Sequence, residues 1–281
     1  MALPVGTGGG GELERIEIDL LLEGIYRHYG IDFRGYALSS LKRRLARRMR
    51  DEGVPTLSAL QDKVLHDPAA MERLMVALSI SVTAMFRDPT FYRAIREKVV
   101  PLLRTYPFIR LWNAGCATGE ETLSLAIALE EEGLLDRTRI YATDFNAGVV
   151  DRARAGEFPL SRMQSYTENY LDAGGKCEFS RYYSADGGVA RFSPSLFENV
   201  VFAKHNLVSD GSFNEFHGIL CRNVLIYFGR TLQDRVHELF HDSLVNFGVL
   251  GLGHKETIRF TPLEHCYEPI DAREKLYRRV A

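Results

Sequence analysis

The stretch Leu111-Trp112-Asn113-Ala114-Gly115-Cys116-Ala117-Thr118-Gly119-Glu120-Glu121 reads as a buried strand, a loop of small residues and the first turn of a helix. In an open α/β sheet that junction, at the carboxyl end of the first strand, is where a ligand binds. Gly115 and Gly119 let the backbone approach such a ligand closely. The G-x-x-x-G spacing is not the G-x-G-x-x-G of a pyrophosphate loop. No G-K-[ST] follows to cradle a triphosphate. Glu120 and Glu121 suit the positive end of a helix dipole but repel phosphate.

One helix and one loop further on, Ala142-Thr143-Asp144 ends a second strand, and a carboxylate there can accept both hydroxyls of a ribose. A positively charged nucleoside without phosphates matches the pair of motifs. S-adenosylmethionine is such a molecule. A plain surface loop with an N-capping glutamate accounts for the same residues.

Around this centre, short β-type runs alternate with helical ones. Strands are expected at Ile109–Asn113, Ile140–Thr143, Val200–Ala203, Ile219–Cys221 and Gly248–Leu252. Helices are expected at Gly119–Glu132, Ala147–Ala155 and Thr231–Val245. The alternation implies βαβ units and a parallel sheet covered on both faces. Tyr170–Ser195, with Gly174-Gly175 and Gly187-Gly188, breaks it and predicts a small antiparallel insert at about 170–196. The first ninety residues carry helical periodicity instead. Residues 1–11 read as a flexible leader, 12–88 as a helical domain and 89–281 as the α/β domain. In the helix at 38–52, Leu38, Leu41, Leu45 and Met49 form an apolar stripe. Lys42, Arg43, Arg44, Arg47, Arg48 and Arg50 occupy the other faces.

The chain has 281 residues, 46% hydrophobic and 26% charged, which excludes a mainly disordered protein. Lys and Arg total 35 against 37 Asp and Glu, so any electrostatic message is local. Cys116, Cys177, Cys221 and Cys266 form no C-x-x-C pair, which argues against a zinc ribbon or disulfide scaffold and fits a reducing cytoplasm. No apolar run approaches the roughly 18–20 residues of a membrane span.

Five motifs occur in order: Thr83-Ala84-Met85-Phe86-Arg87-Asp88, the Trp112 to Glu121 loop, Ala142-Thr143-Asp144, His205-Asn206-Leu207 and Cys221-Arg222-Asn223-Val224-Leu225-Ile226-Tyr227-Phe228. Together they resemble the CheR family, the chemotaxis receptor (methyl-accepting chemotaxis protein) glutamate O-methyltransferases. The likeness runs from about residue 15 to the C-terminus. It implies a class I, Rossmann-like methyltransferase core, an all-helical N-terminal domain and a small antiparallel β insert. The implied cofactor is S-adenosylmethionine, leaving as S-adenosylhomocysteine. The implied partners are the cytoplasmic helices of methyl-accepting chemoreceptors, with neither nucleic acid nor membrane insertion.

By that likeness Ser81, Thr83 and Arg87 reach the cofactor, Arg87 as partner of the methionyl carboxylate. Gly115 lets the methionyl part pass, Glu121 helps hold it and Asp144 takes the ribose. Asn206 and Leu207 flank the adenine, and Asn223 and Val224 border the methionyl side. Tyr227 approaches the methyl, so Tyr227 and Arg87 are the catalytic candidates, as positioning groups. A core aromatic at the sheet edge is the other reading of Tyr227. Arg43, Arg44, Arg47 and Arg48 would dock Glu- and Gln-rich receptor helices. A solvated face and a nucleic-acid patch are the other readings of that helix. Three departures stand out. Ser81 replaces the family's usual Asn, Thr122-Leu123 replaces Pro-Tyr, and the insert between Tyr182 and Phe197 is shorter than in members that dock a receptor's C-terminal tether, which counts against tether docking.

Other functions compete. His237-Glu238-Leu239-Phe240-His241 matches the zinc-protease H-E-x-x-H, with Glu256 or Glu264 as a distant ligand. Leu244 and Phe247 occupy the Gly and third His positions of the metzincin continuation, so no metal is expected. A nucleic-acid methyltransferase is opposed by the missing prolines after Asn223. A non-catalytic binding module would explain Ser81 and Leu123.

Overall fold

The computed structural model describes residues 10–78 and 83–281. The chain forms two compact units, Met1–Ile80 with Tyr227–Leu232, and Ser81–Ile226 with Gln233–Ala281.

The first unit holds α1 (Gly10–Tyr29), α2 (Leu38–Glu52), α3 (Leu57–His66) and α4 (Pro68–Leu78). Gly10 and Gly11 lie in α1, so the helix takes in the last two residues of the expected leader; residues 1–9 are outside the described residues. Gly53 ends α2 at φ 67°, a left-handed cap that a Cβ would disfavour, with its N–H on the Arg50 carbonyl. Thr56 caps α3 by accepting the Ala59 N–H at 3.0 Å. The Glu52 carboxylate ties three helices together, accepting Lys63 at 2.8 Å, Arg73 at 2.7 Å and Arg48 at 3.3 Å. The late segment joins through Ala37 N–H to the Tyr227 carbonyl and Gly229 N–H to the Gly35 carbonyl.

The second unit opens with α5 (Pro89–Ala94), a π-helical turn (Ile95–Val99) and α6 (Val100–Leu103), a run that the periodicity reading does not anticipate. The wide turn ends at Val99, immediately before Val100-Pro101, and Pro101 has no N–H to give an α turn. There follow β1 (Ile109–Ala114), α7 (Glu120–Glu131), β2 (Thr138–Asp144), α8 (Ala147–Ala155), β3 (Glu157–Pro159), α9 (Met163–Asp172), β4 (Tyr183–Asp186), β5 (Val189–Phe192), β6 (Val200–Lys204), β7 (Phe216–Cys221), α10 (Arg230–Ser243, its first three residues counted with the first unit), β8 (Leu244–Leu252), β9 (Tyr267–Asp271) and β10 (Leu276–Arg279).

The main sheet has the order β6-β2-β1-β7-β8-β10-β9. Its first five strands are parallel, as the alternation predicts. Strand β10 departs from the expected parallel sheet, pairing antiparallel with both β8 and β9. Only Ala272–Lys275 separates β9 from β10, too short a connection for a parallel crossover.

The insert is a second sheet of order β3-β5-β4. Its hairpin turns on Gly187 and Gly188, both at positive φ. It begins earlier than predicted, because β3 recruits residues 157–159, while Tyr170 lies in α9. The Glu131 carboxylate anchors this region, accepting from the Tyr170 and Tyr182 hydroxyls, the Lys176 N–H and Arg96. No described helix is long and apolar enough to cross a membrane.

Candidate cofactor site

The five parallel strands point the same way, so the loops after β1, β2, β6, β7 and β8 share one edge of the sheet. The chain leaves β1 toward β2 on one side, and β7 lies on the other. The crevice at that switch is where open α/β sheets bind ligands. Of the predicted cofactor residues that are described, Gly115, Asp144, Asn206, Leu207, Asn223 and Val224 lie on these loops or strand ends. Thr83 and Arg87 are in the segment before α5, and Glu121 is in the first turn of α7.

At the crevice Gly115 has φ 79°, and a Cβ there would lie 2.5 Å from Val224 Cγ2. A side chain is therefore excluded twice, by conformation and by contact. The Gly115 and Cys116 N–H groups both donate to the Thr143 carbonyl, which locks the loop to the end of β2. Asp144 is partly exposed. One of its oxygens accepts the Ala117 N–H at 3.2 Å and the other the Asn146 N–H at 3.1 Å. A carboxylate has about four lone-pair directions, so the pair of oxygens keeps capacity for a hydroxyl. Burial pushes the Asp144 pKa up, against the pull of these N–H donors. Asn206 builds a turn, its side-chain oxygen accepting the Val208 N–H at 3.0 Å, and Leu207 is buried beside it. The donor set suits a phosphate-free nucleoside: a carboxylate for hydroxyls, an apolar shelf and a glycine loop without a cation.

Arg222, unassigned by the sequence reading, ties the segment before α5 to the start of α7. Its side chain is 0% exposed. It donates to Glu121 at 2.8 Å, to Asp88 at 2.7 Å and to the Arg87 carbonyl at 3.1 Å, with its guanidinium 3.9 Å from the Phe91 ring centre. The other Glu121 oxygen accepts Asn113 Nδ2 at 2.7 Å. Thr122 donates to Asn113 Oδ1 at 2.6 Å and Leu123 is buried, so both residues of that departure are absorbed into the packing. Glu120 is buried and takes hydrogen bonds from Thr118 of the loop at 2.6 Å and from Tyr166 at 3.2 Å.

Glu256 holds the turn after β7. This buried carboxylate accepts the N–H groups of Gly253, Asn223, Val224 and Ile226 at 2.6 to 3.3 Å. It thereby supports Asn223 in its left-handed conformation, φ 61°. The same contacts disqualify Glu256 as a zinc ligand, and Glu264 is engaged with the Phe260 N–H. Among the described residues no group of three or more His, Cys, Asp or Glu could hold a metal. The signal for Glu256 was a glutamate just past the strand that ends at Leu252, which periodicity does not weigh.

Ser81 lies outside the described residues. Tyr227 sits in the helical unit, its ring under the Arg44 guanidinium at 4.4 Å. Arg44 is not a docking cation. It is 7% exposed and donates to the Leu78 carbonyl at 2.5 Å. The reason is helical spacing. Positions 44 and 48 fall on the same side as Leu41 and Leu45, so two of the arginines share the buried stripe. Arg48 is largely covered and pairs with Glu52, while Arg43 and Arg47 are exposed.

A seven-stranded sheet of this order, with a glycine loop after its first strand and an acidic residue ending the second, defines a class I S-adenosylmethionine-dependent methyltransferase. Residues 16–79 match the family model described as CheR methyltransferase, all-alpha domain, and residues 81–274 match CheR methyltransferase, SAM binding domain. The chain belongs to the CheR methyltransferase family. It is 49% identical over 264 residues to a Pseudomonas putida protein carrying the name Cher3, covering 94% of this chain and 97% of that one. It is 30% identical over 246 residues to chemotaxis protein methyltransferase 2 of Pseudomonas aeruginosa, covering 86% of each. The chemotaxis protein methyltransferase of Salmonella typhimurium is 30% identical over 241 residues, covering 83% and 80%.

Proposed function

We propose that this methyltransferase forms γ-glutamyl methyl esters on the cytoplasmic helices of chemoreceptors, serving adaptation in a chemosensory pathway. The observation that carries the reading is the state of the carboxylates around the cofactor edge. Asp88, Glu120, Glu121, Asp144 and Glu256 are each engaged by protein donors, which disfavours a general-base role for any of them. A nucleophile that is already ionised needs no base, and an ordinary glutamate is ionised at neutral pH. The relatives named chemotaxis protein methyltransferases support the same substrate.

When bound, S-adenosylmethionine supplies a sulfonium-activated methyl group. The protein's part is positioning and exclusion of water. Asp144 binds the ribose hydroxyls. Asn206 and Leu207 bound the adenine, and Gly115 with Asn223 and Val224 shapes the methionyl channel. Thr83 and Arg87 reach the cofactor, and Arg87 holds the methionyl carboxylate by a charge-assisted bond. Glu121 acts with Arg222, which fixes the carbonyl of Arg87. Tyr227, whose ring lies under the Arg44 guanidinium, is the group that approaches the methyl. Arg43 and Arg47 draw in the acidic helix.

Incubation with tritium-labelled S-adenosylmethionine and receptor-bearing membranes tests the reading. Base-labile label on the receptor is expected. Base-stable label, or label on nucleic acid, would refute it.

A further inference from the structure

We propose that the turn at Arg259-Phe260 is a second docking element for the substrate, gripping the acidic helix beside the glutamate that is modified. The inference rests on the proposed function and adds to it where the helix is held.

The loop after β8 leaves the same sheet edge as the cofactor loops. Glu256 ties it to Asn223, Val224 and Ile226, the turn that borders the methionyl channel. Phe260 lies four residues on, so its Cα is within about 14 Å of that anchor by chain reach alone. A helix presenting a glutamate at this edge passes within reach of the turn.

The turn is built rather than loose. Ile258 is buried, and its carbonyl accepts the Thr261 hydroxyl at 2.6 Å. The Arg259 N–H donates to Thr257 Oγ1 at 3.0 Å, and the Phe260 N–H to the Glu264 carboxylate at 2.7 Å. This frame holds Phe260 at φ 64° with its side chain 78% exposed. An aromatic residue in the left-handed region is unfavourable, and an exposed ring returns little burial energy to offset it. Strain of this kind collects where a side chain is presented for function.

The charges around it name the partner. Lys255 and Arg259 are exposed, and Arg259 and Lys275 line one crevice with Tyr277 and Glu264. Glu264 is the acidic group in that crevice, and it is engaged by the Phe260 amide. A Glu- and Gln-rich helix offers carboxylates to the Arg259 fork and aliphatic stems to the Phe260 ring.

The test uses the full chain and a fluorescent soluble fragment of a chemoreceptor's methylation helices, with binding read by anisotropy. Phe260→Gly should weaken fragment binding about tenfold, while calorimetric S-adenosylmethionine affinity holds and the melting temperature is unchanged or higher. Arg259→Glu should weaken binding and flatten its salt dependence, and Arg259→Lys should restore part of it. In turnover, KM for the fragment should rise with kcat steady. Variants that bind the fragment like the wild type, or that lose cofactor affinity, would overturn the docking role alone. A wild-type protein that labels no receptor overturns the proposed function and this inference with it.

Discussion

Replacing Arg222 by methionine tests the buried network on which the cofactor edge depends. Methionine fills much of the volume over Phe91 but leaves two carboxylates without their cation. Removing one partner of a buried ion pair costs about 3–5 kcal/mol. Asp88 is 30% exposed and can rehydrate, whereas Glu121 is 13% exposed and keeps the Asn113 amide. Most of the penalty therefore falls on Glu121, and about 3 kcal/mol is expected. Adding Glu121→Gln removes the stranded charge and keeps an oxygen for Asn113, so about 2 kcal/mol should return. Trp112, the chain's one tryptophan, is buried in β1 and reports unfolding of this unit in urea. The double-mutant cycle isolates the pair. Calorimetry should show weaker S-adenosylmethionine binding, because the Arg87 carbonyl loses its donor. A destabilisation under about 1 kcal/mol, or no recovery in the double variant, would refute the network.

Asp144→Ala should weaken S-adenosylmethionine binding by a few kcal/mol, since bonds to charged groups contribute roughly 1.5–3 kcal/mol each; unchanged calorimetric affinity removes Asp144 from the site. Arg43→Glu with Arg47→Glu should slow receptor methylation and reduce its salt dependence without altering cofactor affinity, and equal rates across a salt series would exclude docking there. Hydrogen bonds from Arg73 and Lys63 hold the Glu52 pKa down at about 2. A lowered carboxyl pKa stabilises the fold above the unfolded value near 4.3 and loses that contribution as pH falls toward 2. Helicity melts between pH 5 and 2 should show it, with Glu52→Gln flattening the slope.

The site's outline was legible because its pieces are local. Leu111 to Glu121 and Ala142 to Asp144 each combine a strand end with the residue types that a nucleoside requires, and neighbours in sequence dictate both. The five parallel strands and α8 follow from the same short-range alternation. The basic helix was misread at Arg44 and Arg48, although the information was present: positions three apart share a face, and an apolar stripe one residue wide leaves room for an arginine stem. The β9–β10 hairpin carries no strong alternation, and its direction is set by a four-residue connection.

The sequence by itself determined the class of ligand and the strand–helix alternation that presents it, since both are written in contiguous residues. Only the folded chain decided what holds that edge in shape. Arg222 meets Asp88 across 134 positions, and Glu256 gathers N–H groups from residues some thirty positions upstream. Such pairings follow from burial, where an unpaired charge is costly and each must find its donor in space, and no periodicity along the chain encodes them.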